Sequence, residues 1–409
     1  MNNFFVFLLF FVSISFLNPS LAQSNTLEEG RWKIKLIPND SISIPFYFDV
    51  KIEENQKLIF AIVNGDENIE INSYKIIDDS LYIYLPVFNS EFHIQILDGY
   101  NICGKWMNYA KGENYAIPLV GYKTKEDRFS FKETKKNINF TGNYEVVFSP
   151  QEDPWKAVGL FHQKKNRITG TFLTETGDYR FLEGNAYGNE IFLSCFDGSH
   201  AFVFTGKMIG DTIYGDFYSG NHYHTDWIAS KNTQFKLRDP DSITVQTHKS
   251  DIAFELPDLD SNLYQFPNSK LNGKILIVQI MGSWCPNCMD ETKFYKELYA
   301  KYKDQGLEII AIAFETPKDF TSKARMLKKL KNHFDIQYKI LVGGDASKKI
   351  ASDIFPSLNS IVSFPTSIFI DKNNKIRRIH TGFNGPGTNK HYKEYVDKTM
   401  RLIEEMLKE

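Results

Sequence analysis

Two cysteines in a Cys-x-x-Cys pair are the residues of this sequence best suited to chemistry. They lie in Gly282-Ser283-Trp284-Cys285-Pro286-Asn287-Cys288, between an apolar stretch and a helical pattern. This spacing lets both sulfurs reach disulfide distance within one helical turn, and Pro286 suits the first turn of a helix. The free N–H groups and positive dipole end of the helix stabilise a thiolate at Cys285. We therefore expect Cys285 to attack disulfides and the more buried Cys288 to resolve the mixed disulfide.

A structural zinc site is the alternative use of such a pair, and it needs a second pair of Cys or His ligands. Cys103 and Cys195 are single and far from the motif, and the C-terminal histidines lack ligand spacing. We therefore expect no metal and no other cofactor. Cys103 and Cys195 themselves have two open interpretations, a structural disulfide of an exported protein or two buried thiols.

The pattern around the motif alternates strands and helices from about residue 256 onward. Lys274–Met281 is an apolar run interrupted only by Gln279 after its first residue, as in a strand covered on both faces. Met289–Lys303 places its apolar residues on one helical face. The remaining expected elements are strands at Leu307–Phe314, Thr366–Ile370 and Ile376–His380 and helices at Asp319–Phe334 and Tyr392–Leu407. This order predicts an α/β domain with a mixed sheet at residues 256–409, in which the basic residues of the second helix are solvated.

Residues 24–230 show short alternating apolar runs broken by turn signals such as Thr176-Gly177-Asp178. They predict an all-β region, a sandwich or a barrel, spanning 23–231. A weak repeat with an offset near 110 residues relates Leu81 to Ile191 and Gly104 to Gly215. It suggests two halves at about 24–125 and 135–231. The Pro- and Asp-bearing segment 232–255 is predicted to be a linker.

The N-terminus predicts export. Phe4–Leu17 is almost unbroken apolar sequence, long enough for a signal-peptide core and short for a membrane span. Small residues Ser20 and Ala22 suit cleavage before Gln23, so residues 1–22 are predicted to be a signal peptide. Met1-Asn2-Asn3 carries no Lys or Arg, which leaves an uncleaved N-terminal anchor as the alternative. We expect the periplasm or another extracytoplasmic part of the cell envelope.

Composition excludes some classes of function. Hydrophobic residues make up 42% of the 409 residues, enough for a sizeable core. Lys and Arg number 48 against 50 Asp and Glu, for a net charge of −2. Because nucleic-acid binding needs a basic face that replaces counterions, this balance argues against it.

The motif and its surroundings resemble the TlpA/ResA-like extracytoplasmic thiol-disulfide oxidoreductases, which have the thioredoxin-like fold. The resemblance covers residues 256–409 and rests on the strand–Cys-Pro-Asn-Cys–helix run and on Ser363-Phe364-Pro365-Thr366 before an apolar strand. With Ala313-Phe314-Glu315, the motif is similar to that of multidomain members from Bacteroidetes-type bacteria. Pro-Asn between the cysteines departs from the Gly-Pro of thioredoxin and leaves the redox potential open.

The resemblance implies roles for residues outside the Cys pair. Pro365 is expected to be a cis-proline facing the disulfide, with Trp284, Phe364 and Thr366 in contact with substrate. Glu315 is expected to be a buried carboxylate that moves a proton for Cys288, the alternative being a solvated residue before a turn.

Two further features near the motif have structural interpretations. Asp290 and Glu291, just after Cys288, are expected to stabilise the helix N-terminus. The glycine-rich segment 382–387 is expected to be a flexible loop near the active face.

The leading hypothesis is a disulfide reductase acting on protein substrates. An oxidising compartment then requires re-reduction of Cys285–Cys288 by a membrane-borne thiol donor. One alternative is a peroxiredoxin-like thiol peroxidase, although its Thr/Pro-rich loop and Arg are missing beside Cys285. The other is a cell-envelope binding module with a vestigial redox domain. Oligomeric state is not encoded in any recognisable pattern.

Overall fold

A computed structural model describes residues 27–131, 135–248 and 251–409. The predicted signal peptide, residues 1–22, lies outside these ranges. Within them, no helix is long and apolar enough to cross a membrane. The described chain forms two β units followed by an α/β domain.

The first β unit is a nine-stranded antiparallel sheet in which the first strand pairs with the ninth. Its strands are β1 (Gly30–Asn39), β2 (Ile42–Ile52), β3 (Leu58–Asn64), β4 (Glu67–Ile71), β5 (Tyr74–Ile77), β6 (Ser80–Tyr84), β7 (Ser90–Asp98), β8 (Asn101–Asn108) and β9 (Ala116–Lys123). The edges are β4 and β5, and the ring of Tyr74 on β5 reaches Phe60 on β3, 5.6 Å between centroids. The sheet therefore coils around one apolar core and leaves a gap between two consecutive strands.

The second β unit closes into a barrel. Its strands are β10 (Gly142–Phe148), β11 (Trp155–Lys164), β12 (Arg167–Thr174), β13 (Gly177–Asp178), β14 (Leu182–Tyr187), β15 (Glu190–Phe196), β16 (Ala201–Ile209), β17 (Thr212–Ser219) and β18 (Tyr223–Lys231). The order runs from β11 through β10, β18, β17, β16, β15 and β14 to β12, and β11 pairs with β12 to complete the ring. Aromatic rings, among them Phe148, Phe172 and Phe204, fill the interior. The sequence-based expectation of an all-β N-terminal region is confirmed.

The residues that suggested a repeat hold corresponding places in the two units. Leu81 and Ile191 lie on the sixth strand of each unit, β6 and β15. Gly104 and Gly215 lie on the eighth strands, β8 and β17. In both units the first strand also pairs with the last.

The C-terminal domain is a five-stranded mixed sheet with helices on it, as the sequence predicts. Sheet order is β23-β22-β21-β24-β25, with β21–β22 and β22–β23 parallel and the other pairs antiparallel. The elements are the small hairpin β19 (Phe254–Pro257) and β20 (Leu263–Phe266), then β21 (Ile275–Met281), α1 (Pro286–Tyr302), β22 (Leu307–Glu315), α2 (Phe320–Phe334), β23 (Lys339–Asp345), α3 (Lys348–Ile354), β24 (Thr366–Ile370), β25 (Ile376–Thr381) and α4 (Lys390–Lys408). Four of these elements, β19, β20, β23 and α3, are absent from the sequence-based prediction.

The basic residues of α2 were expected to be solvated, and this expectation is wrong for one lysine. Lys323 is buried, and its ammonium group donates to the Asp345 carboxylate at 2.7 Å and to the carbonyl oxygen of Lys318 at 2.9 Å. These contacts tie α2 to the end of β23.

The segment predicted as a linker is packed against the C-terminal domain along part of its length. Asp241 accepts hydrogen bonds from Arg378 at 2.9 Å and from Lys398 at 2.5 Å, and one carboxylate oxygen lies 2.6 Å from His380 Nδ1. These charges hold the pKa of Asp241 well below its usual range, although burial opposes them.

One buried arginine joins the three units. Arg180, which follows β13, donates to Glu67 of the first sheet and to Asp290 of α1, and its Nε lies 3.7 Å from Asp197 of the barrel. Arg180 and its three partners are all shielded from solvent. The junction therefore consists of one buried cation shared by three buried carboxylates.

Loss of Arg180 should weaken this junction. We expect Arg180→Leu to lower the free energy of unfolding by about 3–5 kcal/mol, because three buried carboxylates lose their cation. Urea denaturation measures this change. The matched control is Arg238→Leu, which removes an exposed pair with Glu175 and should change stability little. Equal effects of the two substitutions would contradict the structural role of Arg180.

Candidate active site

The cysteine pair stands where β21 passes into α1. Cys285 is the N-cap residue of α1, and its Sγ accepts a hydrogen bond from the backbone N–H of Cys288 at 3.2 Å. Pro286 fills the first helical position, where its missing N–H costs no hydrogen bond. Cys285 keeps 7% of its surface exposed, and Cys288 is fully buried. The sulfur at Cys285 is thus the accessible one and lies at the positive end of the helix dipole.

All four cysteines are free thiols. Cys103 lies on β8 of the first sheet, and Cys195 is buried on β15 of the barrel. Burial raises the pKa of Cys195 well above its usual value, which keeps this thiol protonated. The expected alternatives were a structural disulfide or two buried thiols; the structure has two separate thiols, of which Cys195 is buried and Cys103 is partly exposed.

The two thiols of the motif differ in electrostatic environment. Burial raises the pKa of Cys288 well above its usual value, and the adjacent sulfur of Cys285 and the carboxylate of Glu291 raise it further. Cys288 is therefore held as a protonated thiol until a base removes its proton.

The loop that faces the cysteines carries the cis peptide bond Phe364–Pro365. The Cys285 thiol lies 3.5 Å from the carbonyl oxygen of Phe364, to which it donates. The indole N–H of Trp284 donates to Phe314 O at 2.9 Å, and its ring meets Phe364 edge-on at 5.7 Å. Trp284 and Phe364 thus form one aromatic wall beside the sulfur.

Thr366 has a different environment from the one expected. It is completely buried, and its hydroxyl donates to the carbonyl oxygen of Ser363 at 2.9 Å. The side chain therefore shapes the loop, and any substrate contact at this residue has to come from its backbone.

Glu315 is buried at the end of β22. Its two carboxylate oxygens accept from the backbone N–H of Ser283 at 2.8 Å and from the Ser283 hydroxyl at 2.6 Å. Burial raises the pKa of Glu315 to about 7, and these hydrogen bonds offset part of the increase. The expected alternative of a solvated residue is wrong, because the group lies in the interior behind the motif.

Glu291 is a second buried carboxylate, and its expected role at the helix N-terminus is wrong. It accepts from Gln279 at 3.0 Å, from the Ser367 hydroxyl at 3.0 Å and from Tyr395 at 3.2 Å. Burial raises the pKa of Glu291 to about 7, and the hydrogen bonds oppose this shift. The side chain faces the interior one turn beyond Cys288, while the N-cap hydrogen bond of α1 is made by Cys285.

Asp290 also differs from the expectation, because its charge is paired with Arg180 of the barrel. The barrel reaches the motif again at Asn287, whose Nδ2 donates to the carbonyl oxygen of Asp178 at 3.2 Å. The glycine-rich segment 382–387 lies near the active face as expected. It is fastened there, because the backbone N–H of Gly385 donates to the Asp178 carboxylate.

The buried Glu291 should make stability depend on pH. Its pKa is raised in the folded state from 4.5 to about 7. The proton it binds therefore stabilises the fold below pH 4.5, and this contribution is lost as the pH rises through 7. Between about pH 5 and pH 8 the unfolding free energy of the wild-type protein should decrease as Glu291 ionises. We expect Glu291→Gln to make this decrease smaller by up to about 3 kcal/mol, because glutamine does not ionise.

Urea denaturation across that pH range measures the change. Glu297→Gln, on the exposed face of the same helix, is the matched control and should keep the wild-type slope. A slope that is identical in Glu291→Gln and wild type would contradict the assignment.

Comparison with known proteins agrees with this geometry. The Redoxin family model matches residues 246–396. A thiol-disulfide oxidoreductase ResA from Bacillus thuringiensis subsp. konkukian is 29% identical over 147 residues, covering 36% of this chain and 73% of that protein. ResA from Geobacillus kaustophilus is 30% identical over 129 residues, covering 32% of this chain and 66% of that protein.

Among solved structures, a thioredoxin family thiol:disulfide interchange protein from Chlorobium tepidum matches 40% of this chain and 99% of its own, at 17% identity and a TM-score of 0.31. The family match, the ResA relatives and the strand–Cys-Pro-Asn-Cys–helix geometry all concern the same part of the chain. Residues 246–396 of this chain thus match the Redoxin family and are similar to thiol-disulfide oxidoreductases of the ResA type, and they follow a large all-β region.

Proposed function

We propose that this protein is an exported disulfide reductase that uses the Cys285–Cys288 dithiol on disulfide-containing proteins. The observation that carries the proposal is the position of Cys285. Its sulfur caps α1 and accepts a hydrogen bond from Cys288 N, whereas Cys288 is fully buried. This asymmetry supports one attacking and one resolving sulfur.

The reaction consists of two exchanges. The Cys285 thiolate attacks one sulfur of the substrate disulfide, so that a Cys285–substrate bond forms while the substrate S–S bond breaks. The departing sulfur takes up a proton. Cys288 then loses its proton and attacks Cys285, which forms the Cys285–Cys288 disulfide and releases the second substrate thiol. The substrate gains two electrons and two protons, and the enzyme dithiol becomes a disulfide.

Glu315 is the proposed proton acceptor for Cys288. It is buried behind the motif with its pKa raised to about 7, the range in which a general base works at neutral pH. Its hydrogen bonds to Ser283 connect it to the loop that carries the cysteines. Proton removal matters here because burial keeps Cys288 protonated.

The proposed compartment is extracytoplasmic, supported by the apolar N-terminal segment of the sequence. In an oxidising compartment the Cys285–Cys288 disulfide needs a supply of electrons. A membrane-borne thiol donor is the proposed source. Pro365, Phe364 and Trp284 are the proposed substrate-facing residues, because they surround the Cys285 sulfur.

Cysteine substitutions test the proposal. We expect Cys285→Ser to abolish reduction of insulin, because the attacking sulfur is lost. We expect Cys288→Ser to accumulate a mixed disulfide between Cys285 and substrate, detected by mass spectrometry. Cys103→Ser, away from the motif on β8, should retain activity. Turnover in the Cys285→Ser variant, or hydrogen peroxide consumption in preference to insulin reduction, would refute the proposal.

The equilibrium potential of the pair tests its direction. A value near about −270 mV, measured against glutathione, agrees with a reductase, whereas one near about −120 mV contradicts it.

Replacement of Glu315 should slow the resolving step. We expect Glu315→Gln to reduce insulin turnover about 100-fold, because Cys288 loses its base. The increase in the wild-type rate as the pH rises through about 7 should disappear, since this is the pKa of Glu315. Alkylation of Cys285 by iodoacetamide should stay unchanged. The control is Glu308→Gln on the same strand, and an unaltered rate and pH profile in Glu315→Gln would exclude this role.

A further inference from the structure

The attacking cysteine faces the β-barrel. The turn between β12 and β13 lies against the loops that surround Cys285. The Ser363 hydroxyl donates to the carbonyl oxygen of Thr176 at 2.9 Å, and Asn287 Nδ2 donates to that of Asp178 at 3.2 Å. The backbone N–H of Gly385 donates to the Asp178 carboxylate. One barrel turn thus touches the cis-proline loop, the Cys-x-x-Cys motif and the loop after β25.

Two glycines show how closely this turn is packed. A Cβ on Gly177 would lie 2.3 Å from Asn287 Nδ2, and one on Gly382 would lie 2.8 Å from the backbone carbon of Thr176. Both glycines also have positive φ, +137° and +76°. The barrel turn therefore packs directly against the Cys-x-x-Cys motif and the loop after β25. No substrate chain fits between the barrel turn and these two segments.

A second barrel loop completes the enclosure. The Ser199 hydroxyl, in the connection between β15 and β16, donates to the carbonyl oxygen of Trp284 at 2.9 Å. His200 and Phe202 follow, with their rings stacked at 4.8 Å and an interplanar angle of 17°. These rings line the same cleft as Trp284 and Phe364.

What remains open at Cys285 is a cleft of about 190 Å³. Ring-bearing residues from both units line it: Tyr179, His200 and Phe202 from the barrel, and Trp284 and Phe364 from the Redoxin domain. Drug-sized ligands occupy sites of roughly 300–1,000 Å³, so this cleft is narrow. A disulfide buried inside a folded domain cannot reach Cys285 in so narrow a cleft, whereas an extended segment can insert a cysteine.

We propose that the barrel forms the second wall of the substrate site and that Tyr179, His200 and Phe202 determine its specificity. The favoured substrate is a disulfide carried on an unfolded polypeptide segment with apolar or aromatic residues beside the cysteine. This inference rests on the proposed reductase function. Apolar neighbours of the cysteine gain contact with rings on both sides, and a disulfide buried inside a folded domain is excluded.

Three probes test this selection with the reduced full-length protein. They are hydroxyethyl disulfide, an unstructured peptide whose disulfide is flanked by Phe and Leu, and native lysozyme. We expect kcat/KM for the peptide to exceed that for native lysozyme at least about tenfold. Equal rates on the peptide and native lysozyme would overturn the proposal.

Two barrel variants test the wall itself. We expect His200→Ala and Phe202→Leu each to raise KM for the peptide about tenfold, with kcat and the redox potential of Cys285–Cys288 unchanged. KM for hydroxyethyl disulfide should change less than about twofold, since it has no apolar side chains to pack on the barrel rings. His162→Ala, on an exposed position of β11, is the matched control.

Two variants are used because Phe202 belongs to the barrel core, where a substitution can disturb folding. His200 is partly exposed, so that its substitution tests the wall without this effect. An unchanged peptide KM in both variants overturns the proposal. If the wild-type protein reduces none of the three probes, the proposed reductase function itself is contradicted. Failure of this inference and failure of the proposed function are therefore distinguishable.

Discussion

The buried charge of Arg180 is the constraint on which the arrangement of this molecule depends. A guanidinium group taken out of water is stable only when opposite charges surround it. Its partners come from separate parts of the chain: Glu67 on the first sheet, Asp197 in the barrel and Asp290 on α1. Because Asp290 lies two residues after Cys288, the same cluster that joins the units also fixes the helix that carries the thiols. The β region is thereby part of the frame of the active site.

Local patterns in the sequence were sufficient for most of the C-terminal domain. The apolar run of β21 and the motif after it identify strand, cap and helix from neighbouring residues alone. β23 was missed because its last three residues, Gly343-Gly344-Asp345, have the composition of a turn, and α3 was missed because seven residues hardly establish a helical period. Glu291 did leave a signal. Gln279 is a polar residue within an otherwise apolar strand, and a buried amide needs a partner.

Contacts between distant residues could not be obtained in this way. Turn chemistry identifies Thr176-Gly177-Asp178 as a turn, but the sequence does not show that this turn lies against a motif more than 100 residues away. Asp290 illustrates the same limit. Its charge at the start of α1 suggested a stabilising role for the helix end, whereas its actual partner is Arg180. Such pairings depend on how the three units pack, which no local periodicity records.

Enclosure by the barrel has an electrostatic consequence for the thiols. Exclusion of water strengthens the hydrogen bond that the Cys285 sulfur accepts from Cys288 N, since a dipole acts more strongly at low dielectric constant. The same burial disfavours charge on groups without a comparable donor, and it raises the pKa of Cys288. The two sulfurs, one helical turn apart, therefore differ in hydrogen bonding and in burial. The Cys285 sulfur has a backbone donor, whereas the Cys288 thiol is held protonated, and in the proposed reaction this difference sets the order in which the two cysteines react.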